Sequence, residues 1–93
     1  MAYTQATLGA NESTDPFILV GTCDIWIDNL NSGAVKLQIR HGAGGSWKDV
    51  PDASYTSDVF KTIFISEDQV YGRLTGVSNN AAVYARLGRY LNT

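Results

Sequence analysis

Asp24 and Asp28 stand four residues apart in a run that otherwise alternates apolar with polar, so on a strand both carboxylates face one side. Asp49 and Asp52 flank Pro51 a little further on. Paired carboxylates can serve glycoside hydrolysis, one as acid and one as base or nucleophile, or bind calcium. Carboxylates on a solvated strand face also keep sheet edges from pairing with other chains, and that structural role is the expectation for these four. Cys23 and His41 are the only cysteine and the only histidine, which removes zinc sites of the two-histidine kind. Cys23 falls on the apolar series and reads as a small buried hydrophobe, because a reactive thiol needs an exposed, electropositive setting. His41 reads as a strand-end residue. Gly42-Ala43-Gly44-Gly45 lacks the following Lys-Ser or Lys-Thr and the helix of a phosphate loop, so it reads as a hairpin turn. The residues therefore predict no catalytic group, no metal ligand and no cofactor.

Aromatic residues are the better candidates for function. Trp26, Trp47, Tyr55, Tyr71, Tyr84 and Tyr90 offer large areas at little entropy cost, suited to stacking on sugar rings or anchoring a protein contact. Trp26 is out of phase with its apolar neighbours and is expected at an interface. Trp47 is expected to close one end of the core. Tyr55 joins them as a candidate sugar platform.

Strands must position these residues. Val35, Leu37 and Ile39 alternate with Lys36, Gln38 and Arg40, the period-2 signature of a strand with one face in a core and one in water. The glycines then reverse the chain, and the residues from Trp47 to Val50 return as the second strand of a hairpin. Upstream, Phe17 to Asp28 places Phe17, Leu19, Cys23, Ile25 and Ile27 on one face and bends at Gly21. Ile18 and Val20 make its first half apolar on the other face too, which suits a central strand or a subunit contact. Downstream, Pro51 to Asp58 reads as a loop, and Val59 to Ile65 as a strand buried on both faces, with Phe60 and Phe64 on one of them. Glu67-Asp68 reads as a turn, Val70 to Leu74 as a strand with Val70 and Leu74 inward beside Gly72, and Gly76 to Asn80 as another turn. Ala81 to Tyr90 closes the chain with Val83, Ala85 and Leu87 inward.

Residues 1–16 are mostly small and polar. They form either an edge strand around Thr4 to Leu8 or an arm ordered only against a neighbouring molecule, which makes Tyr3 and Leu8 contact candidates. The expected architecture is all-β: an antiparallel β-sandwich of about seven strands over residues 17–93, immunoglobulin-like or jelly-roll-like, preceded by the arm or edge strand at 1–16.

Composition narrows the classes. The chain has 93 residues, 44 % hydrophobic and 11 % aromatic, which suits one folded domain and is too apolar for disorder. No run approaches the roughly 20 apolar residues of a membrane-spanning helix, and no membrane partner is expected. Seven basic residues are dispersed along a chain of net charge −2, which argues against nucleic acid. One cysteine excludes an intrachain disulfide, and Met1-Ala2-Tyr3-Thr4-Gln5 lacks the basic start and apolar block of a secretory signal.

From Leu37 to Val50 the sequence resembles a pattern in small structural proteins of tailed bacteriophages: Leu-Gln, a charged strand end, a glycine turn, then Trp and Asp-Val. Val70-Tyr71-Gly72-Arg73-Leu74 looks like their penultimate strand with a glycine inserted, and Val83-Tyr84-Ala85-Arg86-Leu87 looks like their closing strand. The resemblance implies a non-enzymatic virion component, assembled in the host cytoplasm. It would be a capsid decoration or cement protein that binds the major capsid protein and itself, as a homo-oligomer with a trimer favoured. Its contact candidates are Tyr3, Leu8, Ile18, Val20, Trp26, Trp47 and Tyr55. The alternative is a carbohydrate-binding module, or a tail or fibre component, that holds glycans with exposed aromatics.

Overall fold

The computed structural model describes residues 2–30, 33–42, 44–76 and 83–89, with the side chains of residues 2, 17, 20 and 66–69 outside that description. It contains six strands: β1 (Ala2–Leu8), β2 (Phe17–Asp28), β3 (Val35–His41), β4 (Lys48–Tyr55), β5 (Val59–Gly76) and β6 (Val83–Arg89). All pairings are antiparallel, in the order β1-β6-β2-β5-β3-β4.

β2 and β5 each run through two layers. Gly21 to Ile27 pairs with Ile65 to Val59, Phe17 to Leu19 pairs with Gly72 to Val70, and the register shifts between Leu19 and Gly21. The first sheet is therefore β1, β6, the later part of β2 and the start of β5. The second is the start of β2, the end of β5, β3 and β4. Two four-strand sheets result, eight strand segments folded as a β-sandwich, against the seven or so strands expected from the sequence.

Inward-facing residues of both layers fill the core: Leu8, Ile25, Ile27, Val83, Ala85 and Leu87 from the first sheet, and Leu19, Val35, Leu37 and Leu74 from the second, with Cys23 among them. The alternation read in β3, in the second half of β2 and in β6 is thus the inside-outside alternation of the sandwich. Gly21 adopts φ 72°, a left-handed conformation that costs most residues about 1–2 kcal/mol, where β2 leaves one sheet for the other. Gly72 serves packing instead. A Cβ there would lie 2.8 Å from Leu19 Cγ and 3.5 Å from Leu87 Cδ2, so the glycine lets a side chain from each sheet settle on the β5 backbone.

Several expectations are corrected. Of the two alternatives open for the N-terminal residues, the structure has the edge strand: β1 pairs with β6 along its whole length, from Ala2 opposite Arg89 to Leu8 opposite Val83. Beyond it, Ser13 bridges to Thr75, and Thr14 exchanges bonds with Leu74 through its backbone N–H, at 2.9 Å, and its Oγ1, which accepts at 3.0 Å. Pro51 to Tyr55 is strand rather than loop. β4 is an edge strand, where a proline interrupts no ladder on its open side, and a register shift together with φ 60° at Asp52 absorbs the extra residues. Val59 to Ile65 and Val70 to Leu74 form one continuous strand rather than two. No turn falls at Glu67-Asp68, which lie within that strand; of the turn expected at Gly76 to Asn80, Gly76 ends β5, and residues 77–80, the ends of the closing strand and Tyr90 lie outside the described residues.

Substituting Gly72→Ala forces Leu19, fully buried, off its position. The expected loss is about 1–3 kcal/mol, read as a lower urea midpoint with an unchanged m-value, and full retention of the midpoint would refute this packing account.

Candidate functional site

Side chains of β1, β6, β2 and the start of β5 stand in rows across the outer face of the first sheet. Gln5, Arg86, Trp26 and Phe60 occupy one row, and Tyr3, Gly88, Asp24 and Thr62 the next. Strand pleating puts Trp26 outward because Ile25 and Ile27 point inward. The result is an apolar patch, with Tyr3 52 %, Trp26 43 %, Phe60 56 % and Phe64 71 % exposed. Trp26 and Phe60 are in contact, Phe64 stands beyond Thr62 on the same strand, and Tyr3 is set off from them by Arg86, so exposed aromatics cluster on one face, as suits a contact surface. Phe60 and Phe64 point outward with Trp26 and are exposed where burial on both faces was expected, while Val59, Ile63 and Ile65 pack against the core.

Polar groups fix the patch in place. Trp26 Nε1 donates to Asp28 Oδ2 at 2.7 Å, and Thr62 Oγ1 donates to Asp24 Oδ1 at 2.9 Å. Asp24 and Asp28, the carboxylates of the acid/base alternative, are thus each engaged by a neighbouring donor. The Arg86 guanidinium lies 4.3 Å from the Tyr3 ring centroid. Because Gly88 carries no side chain, a concavity of about 180 Å³ opens among Asp24, Trp26, Phe60, Arg86 and Gly88. Trp26 and Phe60 have centroids 5.0 Å apart and planes inclined at 56°.

The outer face of the second sheet carries a polar network. Lys36 Nζ pairs with Asp49 Oδ2 at 3.1 Å, Gln38 Nε2 donates to Asp49 Oδ1 at 2.9 Å, and Arg73 Nε donates to Gln38 Oε1 at 3.0 Å. Trp47 lies on this face, its ring under the guanidinium groups of Arg40 and Arg73. It does not close the core. The reason is the turn: Gly42 has φ 69°, and Gly45 packs so tightly on the His41 backbone that a Cβ would sit 2.8 Å from its carbonyl oxygen. Chain reversal there brings Trp47 back over the outward-facing residues of β3.

Of the remaining candidates, Leu8 is 1 % exposed and belongs to the core, so it offers no contact surface. Tyr55, opposite Val35, packs half-buried against the core, where burial raises the pKa of its hydroxyl, so it is no sugar platform. Ile18 is 39 % exposed on the second sheet's outer face, and the side chain of Val20 lies outside the described part. Cys23 is fully buried, its thiol 3.6 Å from the Gly21 carbonyl oxygen. His41 is exposed at the end of β3, and among the described residues no group of three or more His, Cys, Asp and Glu side chains could hold a metal. Phe60, Phe64, Arg40, Arg73 and Arg86 were not singled out from sequence. A signal existed for the first two, since Lys61 stands among the inward positions of its strand yet is exposed, as at a sheet edge.

The class that these observations define is an antiparallel β-sandwich with two chemically distinct outer faces. No protein-family model, curated protein or solved structure matches the chain, so the reading of its function rests on the fold and on those faces.

The Gln38 amide, and after it the Lys36 ammonium, hold the Asp49 carboxyl below the usual carboxylate range. A carboxyl whose pKa is lower in the folded than in the unfolded chain contributes stability that is complete above its ordinary value of 3.8 and is lost as pH falls through the folded value. The variant Asp49→Asn should therefore lose less stability than the parent between pH 6 and pH 3. Parallel declines in urea midpoint would disprove it.

Proposed function

We propose that the protein is a non-enzymatic structural component of a tailed-bacteriophage particle, a decoration protein whose first-sheet outer face binds protein. The observation that carries the reading is the patch of Tyr3, Trp26, Phe60 and Phe64, with Phe64 71 % exposed at the sheet edge. Bare phenylalanines bring area without a hydrogen-bonding handle, which suits burial against a protein surface better than recognition of a hydroxylated ligand. The 56° inclination between Trp26 and Phe60 also departs from the coplanar row that a sugar platform needs. The virion assignment, the major capsid protein as partner and the trimer come from the resemblance of residues 37–50, 70–74 and 83–87 to small phage structural proteins.

Glycan binding remains the second reading, supported by the concavity beside Trp26, where Asp24 and Arg86 offer polar groups. Its volume of about 180 Å³ falls below the usual several hundred Å³ of small-molecule sites and limits it to one ring. A glycan array separates the two readings.

Light scattering should give a mass near three times 10.1 kDa, and added protein should bind tailed-phage capsids and raise their resistance to heat. The double variant Phe60→Ser, Phe64→Ser removes mainly exposed apolar area, together with the Phe60 contact on Trp26. It should stay folded within about 1 kcal/mol while losing at least tenfold in capsid affinity. A monomer that associates with no capsid would sink the proposal.

A further inference from the structure

The outer face of the second sheet holds a cluster that the assembly reading leaves unused. Arg40 and Arg73 rise from the paired strands β3 and β5, where Gln38 faces Arg73 and Arg40 faces Tyr71. Both guanidinium carbons lie over the Trp47 ring, at 4.8 and 4.3 Å from its centroid, and Arg40 also lies 5.6 Å from the Tyr71 centroid. The indole face attracts each cation, while the cations repel each other. Burial, and then the charge of Arg40, lower the pKa of Arg73.

Neighbouring side chains leave that repulsion uncompensated. Arg73 gives its Nε–H to the neutral Gln38 amide, and Arg40 Nε is buried without a hydrogen-bond partner. Asp49, the carboxylate of the network, is taken by Lys36 and Gln38, and among the described residues neither arginine forms an ion pair. Two planar donor forks lie against one ring, with most of their N–H groups unspent. A carboxylate accepts two parallel N–H bonds from such a fork and cancels the mutual repulsion when set between two of them.

We propose that Arg40, Trp47 and Arg73 form a binding site for a side-chain carboxylate on an acidic segment of a partner protein. Two features select a protein segment over a polyanion. Asp49, with 58 % of its side chain exposed, borders the cluster in a chain of net charge −2, and it opposes a continuous phosphate backbone more than a single carboxylate. Ile18, 39 % exposed and paired with Tyr71 in the next strand, supplies an apolar shoulder for a neighbouring peptide side chain. The site lies on the face opposite the aromatic patch and stands or falls independently of the assembly reading.

The test is a two-dimensional NMR titration of the full chain, following the Trp47 indole N–H and the arginine Nε–H signals. An acetylated and amidated peptide carrying one Glu beside a leucine should give saturable shifts that its Gln counterpart does not. Arg40→Gln or Arg73→Gln should weaken that binding at least tenfold, whereas Phe64→Ser should leave it unchanged. Equal shifts with both peptides, no shift with either, or tighter binding of a single-stranded oligonucleotide than of the acidic peptide would overturn the proposal. The peptide comparison on the parent chain decides the matter even if an arginine variant fails to fold.

Discussion

One hydrogen-bonded sheet has to fold back over itself here, and the rest of the structure follows from how β2 and β5 do so. These two strands pair in both layers, on either side of the register shift between Leu19 and Gly21, so the sandwich is joined through paired strands rather than only by loops and side chains. The corner must change direction without leaving backbone groups unpaired in the core, and an extended chain of ordinary residues resists that. Gly21 supplies the conformation at one strand, and Gly72 supplies the space near the other, where Leu19 and Leu87 meet. The core is small enough that each of these side chains is fully buried.

Placement of the surfaces is a consequence of that corner. Once β5 turns from the first sheet into the second, its early part becomes an edge while its later part lies between β2 and β3. Phe60 and Phe64, outward on that early part, are exposed, and Tyr71 and Arg73, on the same strand, stand beside Arg40 on the other side of the molecule. Lys61, an exposed charge in an inward-facing position on the edge, discourages open pairing with other chains. Strand addition at this edge is thereby disfavoured.

Alternation was the legible part of the sequence. Val35, Leu37 and Ile39 against Lys36, Gln38 and Arg40 identified both faces of β3, and the same rule placed Val83, Ala85 and Leu87 inward and Trp26 outward, because burial on one face of a twisted sheet leaves a period-2 trace. Fold class followed from that pattern. What alternation does not encode is which face of which sheet is covered. Phe60 and Phe64 look like core residues by type, and they are exposed because they face outward with Trp26 on a face that no described element covers. Pro51 and Asp52 look like a loop by type, and only an edge strand with a bulge accommodates them. Leu8 was misplaced because the polar residues around it hid that β1 lies along β6.

The site on the second sheet was illegible for a further reason. Trp47, Arg40 and Arg73 come from a turn and two strands, and Arg73 is far from the other two in sequence, so no spacing rule joins them. Their meeting depends on the reversal through Gly42 and Gly45, which lays the indole across the strands rather than into the core. A large aromatic after a glycine turn reads as a core plug because burial is its commonest fate. Here the interior is already filled by leucine, isoleucine and valine from both sheets, and the ring instead finds its contact area on the two arginines outside. Apolar area is still removed from water, but on a surface where the cations that cover it keep donors available to a partner.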